Sequence, residues 1–165
     1  MLIFIDTEFT DFKNTELISI GLVTGDGQHD FYAELPVNLS RCSDFVIATV
    51  LPQLGKVPDA QCSITELRDR LMRWLYQFSE PAPIVIGYDF YGDWQLFSQA
   101  LNYEVPLWIK GKNVYPNIDP VAYQMFLIDN HLKEHHALND AKANRYAYIA
   151  RSTVVDTPDE NLDNV

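Results

Sequence analysis

The sequence predicts a single α/β domain with a mixed β-sheet and helices on its faces. The chain has 165 residues, of which 47% are hydrophobic and 21% are charged, and this is the size and composition of one globular domain. Residues 2–35 contain three strand-like segments in succession, which favours an antiparallel meander. Helical and strand-like segments alternate after that, which favours parallel strands connected through helices.

The three N-terminal strands are predicted from apolar runs separated by polar turns. Residues 2–6 (LIFID) are apolar up to the final acid, as in a buried strand. Residues 16–24 (ELISIGLVT) and 28–35 (QHDFYAEL) follow, and they are joined by Gly-Asp-Gly at 25–27. That turn composition is typical of a β-hairpin, so we expect these two segments to pair in antiparallel fashion.

The later elements are predicted from helix-start signals, apolar spacing and short apolar runs. Ser63 and Glu66 enclose a capping-box pattern that begins a helix reaching about residue 78. Asp119 and Pro120 form a second good helix start. The other predicted elements are a short helix near 44–51, a strand over 84–87, a helix over about 93–101, a short strand around 107–109, and helices over 119–129 and 138–151.

The C-terminal end differs in composition from the rest of the chain. Residues 152–165 contain four acids and no basic residue, and they lack the apolar spacing of a packed element. We therefore expect one domain over residues 1–151 and a flexible acidic tail over 152–165.

Charge, cysteines and hydropathy indicate the surroundings in which the protein works. The net charge is −11, which disfavours tight nonspecific binding of duplex nucleic acid because such affinity comes from Lys and Arg. Cys42 and Cys62 lie in unrelated contexts, as free thiols of a reducing compartment do. No apolar run approaches a membrane span and the N-terminus does not resemble a signal peptide. We expect a cytoplasmic protein without a membrane partner.

Three acidic features stand out at element ends. Asp6 and Glu8 form a D-x-E pair, and in an extended strand such side chains project to the same side. Asp93 lies at the predicted start of a helix after a buried strand, and Asp140 lies in the first turn of the last helix. Each of these two acids could be only an N-cap or a charge that compensates the helix dipole.

The order of these features resembles the DEDDh 3′–5′ exonuclease family: a D-x-E on the first strand, an acid after the central strand, and H-x-x-x-x-D (His135 to Asp140) opening the last helix. The resemblance covers about residues 1–150. The segments FIDTEF, ELISIGLV and HHALNDAKANR are most similar to the bacterial polyadenylate-specific 3′-exoribonuclease AS group. The resemblance implies a ribonuclease H-like fold.

The function implied is metal-dependent 3′–5′ exonuclease activity on single-stranded RNA or DNA 3′ ends, with RNA favoured, releasing nucleoside 5′-monophosphates. Two alternatives remain open. One is a 3′–5′ exodeoxyribonuclease, and the other is a nucleic-acid-binding module of the same fold that has lost catalysis. Related enzymes are often homodimers, although no sequence feature demonstrates an interface.

By this resemblance, the acids hold two divalent cations, Mg²⁺ or Mn²⁺. Asp6, Glu8 and Asp140 would hold the first ion, while Asp6 would bridge to the second and Asp93 would support it. Carboxylates suit these hard cations, and a pair of ions suits phosphodiester cleavage. Asp89 competes with Asp93 for its role and stands near a position where the family commonly has Asn.

The resemblance assigns the general base to His135, five residues before Asp140. Its ordinary pKa of about 6.5 suits proton transfer near neutral pH. His136 has the wrong spacing to Asp140, and packing or capping explains it better. His131 and His135 also form H-x-x-x-H, which on a helix could hold zinc, but a third ligand is not evident.

Aromatic residues are the candidates for substrate contacts because base–aromatic stacking is a common source of affinity for single strands. Phe9 and Phe12 follow Glu8 closely, and Phe12 matches a position where ribonuclease T-like enzymes place an aromatic. Tyr88 is a third candidate. Core packing explains each of the three equally well, since 13% of the residues are aromatic.

Overall fold

The computed structural model describes residues 1–81 and 83–155, and across these residues it shows a mixed five-stranded sheet flanked by helices. The sheet order is β3-β2-β1-β4-β5. The pairs β1–β2 and β2–β3 are antiparallel, whereas β1–β4 and β4–β5 are parallel, so the predicted fold class is confirmed. The strands are β1 Leu2–Phe9, β2 Leu17–Thr24, β3 Asp30–Glu34, β4 Ile84–Tyr88 and β5 Ile109–Asn113.

The helices begin where the sequence supplies caps. Ser63 Oγ accepts from the backbone N–H of Glu66 and the Glu66 carboxylate accepts from Ser63 N–H, so the predicted capping box is present. Asp119 caps the third helix by accepting from Val121 N–H and Ala122 N–H. The helices are α1 Ile64–Tyr76, α2 Tyr91–Ala100, α3 Pro120–Asp129 and α4 Ala137–Val155, with a π-helical turn at Val46–Val50 and a 3₁₀ turn at Leu51–Gln53.

Several boundaries differ from the predicted ones, most clearly those of β1, β5, α2 and α4. β1 continues to Phe9, because its acidic end still pairs with β2, although the register shifts between Glu8 and Phe9. β5 lies at Ile109–Asn113, where only Ile109 is buried and the sequence carries no apolar pattern. α2 begins at Tyr91, before Asp93. α4 runs to Val155, past the predicted helix end at residue 151, and residues 156–165 lie outside the described range.

The two faces of β1 enter different environments. Ile3 and Ile5 are fully buried in a core shared with Leu67 and Leu71 of α1 and Phe97 of α2. On the opposite face, the fully buried side chain of Phe4 packs with Val23, Val114 and Ala141 of α4.

None of the helices formed by the described residues is both long enough and apolar enough to span a bilayer.

Gly21 sets how closely α4 approaches the sheet. It lies opposite Asp6 in the register of β1 and β2. A Cβ atom at Gly21 would lie 2.4 Å from the carbonyl carbon of Ala137 and 2.4 Å from Leu138 N, a contact that ordinary packing does not permit. The first turn of α4, which carries Asp140, therefore rests directly on the sheet beside Asp6.

Candidate active site

The four predicted carboxylates meet in one cavity at the C-terminal end of β1. The cavity has a volume of about 310 Å³. Strand β1 supplies Asp6 and Glu8, the first turn of α2 supplies Asp93, and the first turn of α4 supplies Asp140. The cavity is also lined by Thr7, Phe9, Asp11, Phe12, Ser43, Phe45, Val46, Asp89, Phe90, Tyr123, Glu134 and His135.

Asp93 is oriented by the strand next to it. Thr7 donates two hydrogen bonds to Asp93 Oδ1, one from its backbone N at 3.1 Å and one from its Oγ1 at 2.7 Å. Asp93 is 2% exposed, and its Oδ2 is buried without a hydrogen-bond partner among the described residues. Local sequence does not indicate this role for Thr7, since a threonine between two acids on a strand is ordinary.

Asp140 is held by groups from two sides. Its Oδ2 accepts a hydrogen bond of 2.8 Å from the backbone N of His135, and Tyr123 of α3 hydrogen-bonds the same carboxylate. Burial, together with the neighbouring charges of Asp140 and Asp6, raises the pKa of the Tyr123 hydroxyl, so the hydroxyl acts as a donor. Asp140 Oδ1 is buried and has no hydrogen-bond partner within the described part of the chain.

The structure brings Asp89 and Asp93 to the site together. Carboxylate oxygens of Asp6, Asp89 and Asp93 lie within 4.8 Å of one another. A second group, in which the ligand atoms of Glu8, His135 and Asp140 lie within 4.8 Å of one another, adjoins the first. Both Asp89 and Asp93 therefore lie at the cavity, so their location does not decide which of the two has the role that the sequence left open.

Burial and mutual repulsion disfavour negative charge on these five carboxyl groups. Burial, with repulsion from Asp93, Asp140, Glu8 and Asp89, raises the pKa of Asp6 well above its ordinary value. Burial and the nearby carboxylates raise the pKa of Glu8 to about 8. Burial is also the main cause that raises the pKa of Asp93 and of Asp140 to about 7, and it raises the pKa of Asp89.

This arrangement fits hard divalent cations. Oxygen atoms of Asp89, Asp93 and Asp140 are buried without a protein partner among the described residues, and unpartnered buried polar atoms are uncommon in folded proteins. A cation between such carboxylates removes their repulsion, and carboxylate oxygens are the ligands that Mg²⁺ and Mn²⁺ prefer. The donor set thus agrees with the metal chemistry expected from the sequence.

The adjacent histidines lie in different environments. His135 lines the cavity, and its ring makes an edge contact with Phe45 at a centroid distance of 4.9 Å. His136 stacks on Tyr32 at 4.5 Å, and burial lowers its pKa. His131 and His135 have positive φ angles of 54° and 63° and the segment is not helical, so the helical spacing on which a zinc site depended is absent.

Gln53 fixes the backbone that carries His135. Its Nε2 donates to the carbonyl oxygens of Glu134 and His135, both at 2.8 Å, and to that of Thr49 at 3.2 Å. The Gln53 side chain is buried and joins the irregular turns at 46–53 to the loop before α4. No sequence pattern revealed this contact, because the partners lie more than 80 residues apart.

Two of the three predicted aromatic contacts reach the cavity. Phe9 and Phe12 line it, whereas Tyr88 packs against Trp94 and Tyr91 at centroid distances of 6.3 and 6.0 Å. Phe90 lines the cavity as well, as does Phe45 in the irregular segment before Gln53. In the sequence, the position of Phe90 between Asp89 and Asp93 could have indicated that it lies at the cavity, whereas Phe45 belongs to no recognisable sequence pattern.

Comparisons with known proteins show the fold. No protein-family model matches the chain, and no curated protein matches it by sequence. Among solved structures, it is similar to the nuclease domain of 3′hExo, a DEDDh family member bound to rAMP, with a TM-score of 0.60 and 16% identity over 94% of this chain and 92% of that chain. It is also similar to cell-death related nuclease 4 (CRN-4), with a TM-score of 0.57 and 13% identity over 93% of this chain and 63% of that chain.

These identities are low, so the likeness concerns the arrangement of the backbone. The mixed sheet and its flanking helices match the ribonuclease H-like fold of the 3′hExo nuclease domain, a DEDDh family member. The chain therefore has the fold that its sequence predicted, with a cluster of buried and half-buried carboxylates at the C-terminal end of the central strand.

Proposed function

We propose that the protein is a metal-dependent 3′–5′ exonuclease that acts on single-stranded nucleic-acid ends and favours RNA over DNA. The observation that carries the proposal is the convergence of Asp6, Glu8, Asp93, Asp140 and His135 in one cavity, with carboxylate oxygens left without protein partners among the described residues. Bound cations would neutralise the carboxylates of such a site, and the same cations would attract the negatively charged phosphate of a phosphodiester.

The proposed reaction is hydrolysis of the last phosphodiester bond. The oxygen of a water molecule attacks the phosphorus atom, and the bond from phosphorus to the 3′ oxygen of the penultimate nucleotide breaks. That oxygen gains a proton and becomes the new 3′ hydroxyl, while the released nucleotide keeps its 5′ phosphate. A cavity of about 310 Å³ is at the small end of ligand sites, which suits a single terminal nucleotide.

The chain's carboxylates would hold two divalent cations, Mg²⁺ or Mn²⁺. Glu8 and Asp140, with His135, belong to one group of potential ligands, and Asp6, Asp89 and Asp93 belong to the other. Held by these residues, the ions would neutralise charge on the phosphate and would favour ionisation of water. Thr7 and Tyr123 keep Asp93 and Asp140 directed into the cavity.

His135 is the proposed general base, which accepts the proton of the attacking water. Its ring lies in the cavity wall against Phe45, and its backbone N–H donates a hydrogen bond to Asp140 Oδ2. Both contacts limit the positions that the ring can adopt. His136 has no access to this role, because its ring stacks on Tyr32.

Aromatic side chains are proposed to hold the terminal base. Phe9, Phe12 and Phe90 lie on one side of the cavity and Phe45 lies beside His135. Tyr88 is left out of this proposed contact because its ring packs against Trp94. The preference for RNA is supported by the presence of rAMP in the 3′hExo nuclease domain and by the resemblance to the exoribonuclease AS group.

Compartment and assembly complete the proposal. Cys42 and Cys62 are free thiols, which agrees with the reducing cytoplasm. Affiliation with the exoribonuclease AS group, a catalytic domain over residues 1–151, the acidic C-terminal tail and a homodimeric state are proposed on the sequence alone.

The proposal is tested with 5′-labelled single-stranded RNA and DNA of one sequence, incubated with Mg²⁺ or Mn²⁺. We expect a ladder of products shortened from the 3′ end, faster on RNA, that EDTA abolishes and that Asp6→Ala removes. Asp129→Ala, which changes an exposed acid outside the cavity, is the control and should leave the ladder intact. Binding of either strand without any product would favour an inactive binding module, and faster cleavage of DNA would overturn the choice of RNA.

A further inference from the structure

Asp89 is a fifth carboxylate at the site, in addition to the four that the family resemblance assigns to metal binding. It directly follows β4, whose parallel register with β1 pairs Gly87 with Phe4. Two residues beyond that pair, the two chains reach Asp89 and Asp6. One carboxylate oxygen of each lies within 4.8 Å of the other and of an oxygen of Asp93, so these three acids can share a ligand.

Asn144 of α4 reaches Asp89 from the face of the sheet that this helix covers. It lies four residues after Asp140, so the two side chains project from the same face of α4. Asn144 is 2% exposed, and its side chain hydrogen-bonds the Asp89 carboxylate. Because a carboxylate accepts hydrogen bonds, the Nδ2 atom of Asn144 is the donor. Its Oδ1 is buried and has no hydrogen-bond partner among the described residues.

The surroundings of Asn144 on α4 are apolar. The buried positions next to it on the helix are small hydrophobic residues, Ala141, Ala143 and Ala147. An amide buried among such residues costs free energy unless it is hydrogen-bonded, and the Asp89 carboxylate supplies the hydrogen-bond acceptor. This points to a role for Asn144 in holding Asp89 and not in the packing of the helix.

The Asp89 carboxylate keeps an oxygen for a further ligand. Asp89 Oδ1 and Asp93 Oδ2 are both buried without a hydrogen-bond partner in the described part of the chain. Among the described residues, no Lys or Arg lines the cavity, so no basic side chain compensates these oxygens. Buried carboxylates in this condition are costly, and a divalent cation would satisfy both oxygens at once.

We propose that Asp89 is a direct ligand of the second divalent cation, together with Asp6 and Asp93, and that Asn144 positions Asp89 for this role. This inference rests on the proposed function, which supplies the two cations. With Asp89, the chain offers three carboxylates to the second cation, and affinity for a hard cation depends on the number of charged ligands. The second cation therefore binds in the absence of nucleic acid, without an oxygen from a phosphate.

The experiment titrates the metal-free protein with Mn²⁺ in the absence of nucleic acid and measures free Mn²⁺ by electron paramagnetic resonance. We expect the unaltered protein to bind two ions. Asp89→Asn keeps the size of the side chain and removes its charge, so it should weaken the second ion by more than about 100-fold, beyond the range for loss of an outer contact. Asp11→Asn is the matched control, because Asp11 lines the same cavity but belongs to neither ligand group. It should change either affinity by less than about 5-fold, the effect of a screened charge.

Asn144→Leu tests the positioning role, because it keeps the size of the side chain and removes the amide. We expect it to weaken the second ion about 10- to 100-fold and to leave the affinity for the first ion nearly unchanged. In the Asp89→Asn background it should cause little further loss, since the amide acts through Asp89. Asn144→Ala, which needs no additional space, gives a second version of this comparison. Losses that simply multiply, or equal weakening of both ions, would refute the positioning role.

Metal binding and hydrolysis are measured separately, so each result has one meaning. Binding of a single Mn²⁺ by the unaltered protein, or unchanged binding of both ions in Asp89→Asn, would refute the ligand role of Asp89. A parallel reaction of the unaltered protein with labelled RNA and DNA tests hydrolysis. Hydrolysis together with unchanged Mn²⁺ binding in Asp89→Asn would refute the role of Asp89 alone. Loss of the second ion in Asp89→Asn, with no hydrolysis by the unaltered protein, would refute the nuclease and leave a site for two cations.

Discussion

The two halves of β1 lie in two different regions, one an apolar core and the other a cavity lined by carboxylates. Ile3 and Ile5 enter the core beneath α1 and α2 and are fully buried among apolar side chains. Asp6 and Glu8, on the same strand, enter the carboxylate cavity. There, burial raises the pKa of both acids, and several neighbouring carboxylate oxygens have no protein partner within the described residues.

This difference shows which region stabilises the fold and which one costs stability. Burial of apolar side chains contributes roughly 1.5–3 kcal/mol for each large residue. Crowding carboxylates in a buried site lowers the stability of the fold instead, until cations or protons neutralise them. The cavity is therefore expected to be a destabilising feature that the fold retains for function, and the core around Leu71 stabilises the fold that holds it.

The largest contrast should appear when one residue of each region is changed. Glu8→Gln removes a charge whose raised pKa has only unfavourable causes, burial and repulsion by Asp140, Asp93 and Glu134. We expect it to abolish metal-dependent cleavage while raising the melting temperature of the metal-free protein. Leu71→Ala, in the fully buried core, should instead lower the free energy of unfolding by about 2–5 kcal/mol.

Cleavage assays and thermal unfolding in EDTA measure both effects. A lower melting temperature of metal-free Glu8→Gln would contradict the contrast between the core and the cavity, because the carboxylate would then stabilise the fold as a core residue does. An unchanged cleavage rate in this variant would contradict it as well.

The part of the site that follows from strand geometry could be predicted from sequence. Asp6 and Glu8 share a side because strand residues two apart do so, and the carboxylates lie at adjacent element ends that the predicted sheet brings together. His135 could be separated from His136 only through its spacing to Asp140 in the family pattern. These predictions needed local periodicity and one resemblance.

The remaining parts depend on contacts between distant segments. Gln53 reaches the backbone of Glu134 and His135, and Thr7 reaches Asp93 across 86 positions. No local pattern encodes such pairs, since each partner is ordinary in its own segment. β5 was misplaced for a similar reason: Ile109–Asn113 is an edge strand with one buried residue, and its pairing with β4, not its own hydrophobicity, makes it a strand.

The next largest effect should separate the two adjacent histidines. His135→Ala removes the proposed base and should slow cleavage by about 10²–10⁴-fold, measured as kcat on saturating RNA. His136→Ala removes a ring that stacks on Tyr32 outside the cavity, so it should lower the melting temperature and change kcat far less. Equal losses of kcat at both positions would contradict the assignment of the base.

A smaller effect is expected when the support of His135 is removed without touching the cavity. Gln53→Leu keeps the size of the buried side chain but removes the amide that donates to the carbonyl oxygens of Glu134 and His135. A misplaced base reacts poorly, so we expect kcat to fall about 10- to 100-fold with little change in KM.

Gln77→Leu, at an exposed position after α1, is the matched control and should leave kcat unchanged. A purely structural role for Gln53 would lower the melting temperature alone. An unchanged kcat in Gln53→Leu, or a parallel rise in KM that accounts for the whole loss of kcat/KM, would show that the amide does not position His135.

The smallest effect concerns the stability of the metal-free protein as a function of pH. The folded protein raises the pKa of Glu8 to about 8 and those of Asp93 and Asp140 to about 7, above their values in the unfolded chain. The folded state therefore binds more protons than the unfolded state between about pH 4 and pH 8, and its stability falls as pH rises through this window. In EDTA, the melting temperature should be lower at about pH 8 than at about pH 5.

Cations should reverse that trend, because they bind the deprotonated carboxylates in competition with protons. Mg²⁺ or Mn²⁺ should raise the melting temperature more at the higher pH, and Glu8→Gln should flatten both dependences by removing one of the titrating groups. A metal-free protein that becomes more stable as pH rises would mean that the cavity carboxylates are already compensated within the protein. The site would then resemble the core in having its groups satisfied, and the physical reason for placing cations there would be lost.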